Sequence, residues 1–292
     1  MSFYRNFQLY SAFFEPSAEM RTSIDALARL RVRKSGLRHG APRRVLDPAC
    51  GPALWLEHFA ARGSMVAGVE LDANVAEAGR VRLAARKHAD ALVVAGDMRH
   101  PPTDIRGPFD LAINLDNSIG HLGGLDDVRA HLKAMHALLG THGVYFLGCA
   151  VREDDDEVVP STVYERGPLP IDGGGFAAIR SETLGLFDDL APDGLRCERM
   201  CHHVLTANVE GVAPLFIEQY DLLTFPYATL KELLADGGPW EVLDCRDATD
   251  ERLPTKRFAK SCGDVLLVLR PTTPRRAKAT SATGRRDRTR RA

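Results

Sequence analysis

Val45-Leu-Asp-Pro-Ala-Cys-Gly-Pro-Ala53 is the stretch on which the fold turns. Val45 and Leu46 read as a short strand, the small residues after Asp47 as a tight turn, and Leu54, Leu56 and Phe59 as the helix beyond it. Small side chains at such a turn let the backbone approach a ligand closely, and a helix start leaves N–H donors free. Aligned with the GxGxxG dinucleotide fingerprint, the three glycine positions hold Ala49, Gly51 and Leu54, so a nicotinamide-type site is a weak match.

Outward from this turn the strand-helix rhythm repeats. Met65–Glu70, Ala91–Ala95, Leu111–Asn114 and Val144–Ala150 read as strands, and Ala73–Lys87 as a helix. Val128, Leu132, Met135 and Leu139 repeat at helical spacing, with Asp126 and Asp127 suited to the positive helix start. This alternation predicts an α/β fold, a doubly wound Rossmann-like parallel sheet with right-handed crossovers. After Val151 the pattern changes. Thr162–Tyr164, Phe176–Phe187, Leu195–Asn208 and Leu215–Phe225 read as an inserted antiparallel β meander, with a turn at Ala-Pro-Asp-Gly 191–194. Thr229-Leu-Lys-Glu232 has capping-box spacing and opens a helix that stops near Gly237-Gly238. Trp240–Cys245 and Val265–Arg270 read as closing strands, for seven in the main sheet.

The formal net charge of −1 hides a divided chain. Residues 1–44 hold nine basic and three acidic side chains, and 271–292 hold eight basic and only Asp287. The body between them carries 21 basic and 35 acidic groups, which excludes a protein that coats nucleic acid with a uniformly basic surface. At 45% hydrophobic and 26% charged the composition is ordinary for a globular domain. Met1–Tyr10 has no long apolar run, so no signal peptide and a cytoplasmic location are expected. Ala134–Val151 is free of formal charge for 18 residues, but Leu-Gly-Thr-His-Gly at 139–143 breaks it, and no membrane span is expected. Six scattered cysteines without a CxxC pair suit reduced thiols. Cys197, Cys201, His202 and His203 lack the paired knuckles of a zinc site, so no metal is expected.

Three further motifs carry chemistry. Glu70 ends the second strand, 23 residues after Asp47, where a carboxylate can accept hydrogen bonds from both hydroxyls of a ribose. Gly96-Asp97-Met98 follows the third strand and offers a carboxylate and a thioether to an adenine. Asn114-Leu-Asp-Asn-Ser-Ile-Gly-His-Leu122 is a polar loop at the mouth of the same crevice.

In this order and spacing the four motifs resemble the class I S-adenosylmethionine-dependent methyltransferases. The resemblance implies that Asp47, Ala49 and Gly51 hold the methionine part, Glu70 with Leu71 the ribose, and Asp97 with Met98 the adenine. Asn114 and Leu115 complete that cofactor set. Ala49 and Ala53 replace two glycine-like positions of the family turn, and a methyl group at 53 is expected to crowd the helix-strand contact. The loop at 116–122 is similar to that of glycine and sarcosine N-methyltransferase-type enzymes, which also insert antiparallel strands. The implied division is a helical lid (1–43), a cofactor-binding core (44–151), a β insert for substrate or oligomerisation (152–226), closing elements (227–270) and a disordered basic tail (271–292).

The expected reaction is in-line methyl transfer to a small molecule, at nitrogen first and at oxygen or carbon next. His121 is the candidate general base. Tyr10, Asn117, Arg180, His203 and Tyr220 are candidate acceptor-binding residues, with Tyr10 in a lid beside Phe7, Phe13 and Phe14; His202 and Glu218 lie on strands whose inward face the pattern leaves open. Five adjacent acids, Glu153–Glu157, read as a solvated loop, and a long meander offers edges that pair between subunits, so a homo-oligomer is a further expectation. A nucleic-acid methyltransferase or binder that uses the basic termini is the rival reading, and Asp47-Pro-Ala-Cys-Gly51 also looks like the turn of adenine-N6 DNA methyltransferases. Those need a Pro-Pro-aromatic sequence after strand four, where this chain reads Asn114-Leu115-Asp116-Asn117. A non-catalytic module that binds the nucleoside alone is the third reading.

Overall fold

The computed structural model describes residues 6–272 apart from 35–40, 89, 154 and 188–194; the expected turn at 191–194 and the tail from 273 lie outside the described residues. Two helices come first, α1 (Phe7–Phe14) and α2 (Ala18–Lys34). Asn6 caps α1 by accepting from the Leu9 amide at 3.1 Å. Then β1 (Arg44–Asp47), α3 (Leu54–Ala60), β2 (Met65–Glu70), α4 (Ala73–Ala85), β3 (Leu92–Ala95), β4 (Leu111–Asn114), α5 (Leu125–Leu139) and β5 (Val144–Val151) alternate as the periodicity predicts. A four-stranded antiparallel meander follows: β6 (Ser161–Pro170), β7 (Phe176–Phe187), β8 (Arg196–Ala207) and β9 (Leu215–Thr224). The chain closes with α6 (Tyr227–Asp236), β10 (Trp240–Asp247) and β11 (Gly263–Pro271).

The main sheet has the order β10-β11-β5-β4-β1-β2-β3. Strands β1 to β5 run parallel, and β11 is antiparallel to both neighbours. All eight residues of β5 are buried, because helices cover both faces at the sheet's centre. Alternate side chains go to opposite layers. Leu46, Ala112 and Leu147 pack under α5 and α6, while Val45, Ile113 and Phe146 pack under α2, α3 and α4. No helix among the described residues is long and apolar enough to cross a membrane.

Two local expectations need correction. Thr229 lies inside α6 instead of capping it; the helix starts after Pro226, and the Tyr227 amide donates to Glu153 Oε1 at 3.0 Å. A carboxylate borrowed from the acidic run thus does the capping, which sequence spacing cannot reveal. Ala53 adopts a left-handed φ of 64°, but its methyl group does not crowd the helices, because Gly79 of α4 faces it. A Cβ at position 79 would stand 3.3 Å from that of Ala53.

Candidate active site

The carboxyl ends of β1 to β4 open into a cavity of about 570 Å³, a size suited to a small ligand. One half of its wall is the turn after β1. Gly51 takes φ 51° there, and its amide donates to Glu70 Oε2 at 3.0 Å. The other Glu70 oxygen accepts from the Asp72 amide at 2.9 Å. Two backbone donors therefore aim this carboxylate and leave lone pairs for a diol. Burial raises the Glu70 pKa, and these backbone bonds oppose the rise. Asp47 sits buried beneath the turn, accepts from the Ala49 amide at 3.1 Å, and has a pKa pushed up to about 8 by desolvation.

Ala49, Gly51, Glu70, Leu71, Asp97 and Met98 all line the cavity, as the spacing implies. Asp97 is gripped by Arg99, whose guanidinium also reaches Asp127 at 2.7 Å and holds the Asp97 carboxyl below its usual range. An adenine amine would therefore share Asp97 with Arg99. Asn114 is buried below the cavity floor; its Nδ2 faces the Met98 sulfur at 3.7 Å and its Oδ1 has no partner. Leu115 packs with the core layer under α2 to α4 and does not line the cavity.

One positioning residue escaped the sequence reading. His131 lies fully buried on α5; Nδ1 contacts the Met98 carbonyl at 3.1 Å and Nε2 the Tyr145 hydroxyl at 2.6 Å. Burial drops its pKa to about 4, so the ring is neutral at neutral pH and fixes the Asp97-Met98 loop by hydrogen bonds. Its signal was a polar residue at an inward position, between Val128 and Leu132 of an amphipathic helix.

The other half of the cavity is built by Tyr10 of α1 and the loop after β4, which the inner face of the meander borders through Tyr220. Leu9 and Phe13 bury against Ile179 and Val204 of the meander. One residue round the helix, Tyr10 and Phe14 stack at 4.8 Å, and Tyr10 lies over Gly51. The N-terminal aromatics are therefore carried by α1. A 3₁₀ turn at Ser118–His121 brings His121 into the cavity wall, where burial lowers its pKa. Its ring is 5.5 Å from that of Tyr220, whose hydroxyl is 2.9 Å from His202 Nε2. His202 Nδ1 in turn meets the Ser181 hydroxyl at 2.8 Å, and desolvation brings its pKa to about 4.

Arg180 and His203, expected at the acceptor, are on the opposite face. They pair across β7 and β8, and both engage Glu182 among the exposed Leu205, Leu215 and Ile217. The neighbouring pair, Ser181 with His202, faces inward. The choice between adjacent histidines was one of strand parity, decided by which face α1 covers. Asn117 has φ 55° and an unpartnered buried Oδ1, and does not line this cavity.

This geometry is that of a cavity at the carboxyl ends of the strands, lined by carboxylates and bordered by aromatic rings. Residues 45–143 match the family described as a methyltransferase domain. A dTDP-3-amino-3,6-dideoxy-alpha-D-glucopyranose N,N-dimethyltransferase of Streptomyces fradiae is 34% identical over 100 residues. That match spans 34% of this chain and only about a third, 36%, of the relative. An S-adenosylmethionine-dependent methyltransferase from Clostridium acetobutylicum shares the fold at TM-score 0.65 and 13% identity, over 93% of this chain and all of that one. An amino pentose methyltransferase from Micromonospora echinaspora, solved with its cofactor bound, superposes at TM-score 0.62 and 22% identity over 90% and 94% of the two chains. The fold is that of the class I S-adenosylmethionine-dependent methyltransferases.

Proposed function

We propose that the protein is an enzyme that transfers a methyl group from S-adenosylmethionine to a small-molecule acceptor, at nitrogen. The observation that carries this reading is Glu70, a cavity carboxylate aimed by the Gly51 and Asp72 amides beside a glycine whose left-handed turn opens the floor. The cavity residues fit the cofactor: Glu70 suits the ribose diol, Asp97 and Met98 the adenine, and the Ala49–Gly51 turn the methionine part. S-adenosylmethionine supplies an electrophilic methyl group on a sulfonium, so the protein's task is chiefly alignment. Tyr10 on α1 closes over the turn and excludes water. His121, kept neutral by burial, is placed to accept the proton that a methylated amine releases, and Tyr220 supports its ring.

The amine named in the Streptomyces fradiae relative supports nitrogen as the methylated atom. The absence of proline and aromatic residues at Asn114–Asn117 argues against a flipped base as acceptor. Calorimetric titration with S-adenosylhomocysteine tests the cofactor reading. Tight binding is expected, and Glu70→Ala should weaken it by about tenfold to a hundredfold, the worth of a charged hydrogen-bond acceptor. Binding that is absent, or indifferent to Glu70→Ala, refutes it. A single-turnover assay on a panel of amines and phenols separates an enzyme from a module that only binds the nucleoside.

A further inference from the structure

We propose that the outer face of the antiparallel meander is the interface through which two copies of this chain form a two-fold dimer. The inference stands apart from the methyl-transfer reading, and it gives a place to Arg180 and His203, which the cavity leaves unused.

Strand alternation gives this sheet two unlike faces. On one, Ala177, Ile179 and Val204 are buried with Leu9 and Phe13 of α1. On the other, Phe176, Leu205, Leu215 and Ile217 are each more than half exposed. The register brings them together: Leu205 stands between Ala178 and Leu215, with Phe176 opposite Ala207 and Ile217 opposite His203 in the flanking rows. An antiparallel sheet with one buried face normally turns polar side chains outward on the other. Large apolar ones gathered there instead mark a contact surface.

The relief of this face suits a copy of itself. A groove of about 800 Å³ crosses it, lined by Ala178, Leu205 and Leu215 with Arg180, Glu182 and His203. Phe176 and Ile217 stand on the same face but outside the groove's wall. A two-fold axis sets a patch against the same patch of the partner. The projecting side chains of each copy can then fill the groove of the other.

Charge points to the same occupant. Arg180 reaches Glu182 at 2.6 Å and Glu165 at 3.6 Å, and His203 Nε2 lies 3.1 Å from Glu182. The charges beside the groove are thus closed among themselves. Residues 45–270 as a whole hold 21 basic and 35 acidic groups, so elsewhere two copies would mostly set acid against acid, which is unfavourable. A face with paired charges does not repel its own image, and it offers no cationic surplus to a nucleic acid. Apolar side chains at the centre with polar groups around them is the common anatomy of an interface.

The area is sufficient. The four strands are 10 to 12 residues long. At about 3.3 Å per residue and about 4.8 Å between strands, the face measures roughly 700 Å². A stable interface takes about 800 Å² from each partner. Tyr10, which lines the cavity at the strand ends, stands on α1 over the opposite face, so dimerisation leaves that cavity open.

The test is sedimentation velocity on the full chain at micromolar concentration, with far-UV circular dichroism to check the fold of each variant. Wild type should sediment as a dimer. Leu205→Asp and Ile217→Lys should each raise the dimer dissociation constant by at least about thirtyfold, the loss expected at the centre of an interface. Val81→Asp, at a similarly exposed position of α4, should change it by less than about threefold, as for an ordinary surface site. Hydroxyl-radical footprinting of wild type needs no variant: Leu205 and Ile217 should be labelled far more slowly than Val81, although the three are similarly exposed in the single chain. A monomeric wild type, a dimer that survives both face variants or is lost equally on Val81→Asp, or equal labelling of the three side chains overturns the assignment. Should both face variants fail to fold, wild-type sedimentation and the footprint decide it.

Discussion

At the scale of single residues, the site is organised by carboxylates held away from bulk water. Asp47 is the extreme case, with its pKa at about 8 against an unfolded value of about 3.9. The folded protein keeps a proton that the unfolded chain releases, so folding takes up a proton between those two pH values. Stability is fully present below about pH 4 and is lost progressively as pH rises toward 8. Glu70 and Asp116 are shifted in the same direction. Asp47→Asn keeps an acceptor for the Ala49 amide and removes the charge. Denaturant unfolding should show its loss of stability between pH 5 and pH 8 to be smaller than wild type's by at least about 2 kcal/mol. An unchanged slope would mean that Asp47 is ionised in the folded protein throughout. Glu70 and Asp97 could be picked out in the sequence because each ends a recognisable strand. His131 and His202 could not, since their roles come from Met98, Tyr145, Ser181 and Tyr220, which are distant in the chain.

At the scale of elements, the loop after β4 is held from below by β5. A methyl group on Gly148 would approach the Asp116 and Asn117 amide nitrogens at 3.2 and 3.3 Å, and these are backbone atoms that must move together. Gly148→Ala should therefore shift the segment carrying Asp116 and His121 by a few tenths of an ångström. Turnover is expected to fall about tenfold or more, S-adenosylhomocysteine affinity by less than about threefold, and stability by about 1–2 kcal/mol. Steady-state kinetics beside calorimetry checks this; equal losses in both would place the glycine's role in the cofactor half. Strand boundaries such as Met65–Glu70 and Leu111–Asn114 were legible to the residue, because continuous apolar runs end at polar turns. The α6 start was not, because its cap is Glu153, 74 positions earlier.

At the scale of the whole molecule, the cavity lies where three parts meet: the main sheet's carboxyl edge, α1 and the loop after β4. Only the folded chain assembles these walls, so a ligand that fills them binds the folded state alone. S-adenosylhomocysteine at a hundred times its Kd should add about 2.7 kcal/mol and raise the Tm by about 5 °C in a thermal melt. The shift should shrink sharply in Glu70→Ala, and a shift that persists in that variant would place the ligand elsewhere.

By itself the sequence determined the doubly wound sheet, the inserted meander and the gathering of Gly51, Glu70 and Asp97 at one cavity. These depend on local periodicity and on motifs at strand ends, which a parallel sheet gathers at one edge whatever its decoration. Which face of the meander is buried was decided by tertiary structure. Ser181 and His202 are buried on the covered face, and Arg180 and His203 lie on the other, because α1 buries Leu9 and Phe13 on one side of β7 and β8. A strand alternates its side chains but does not say which face will be covered; that choice belongs to the helix that packs on it.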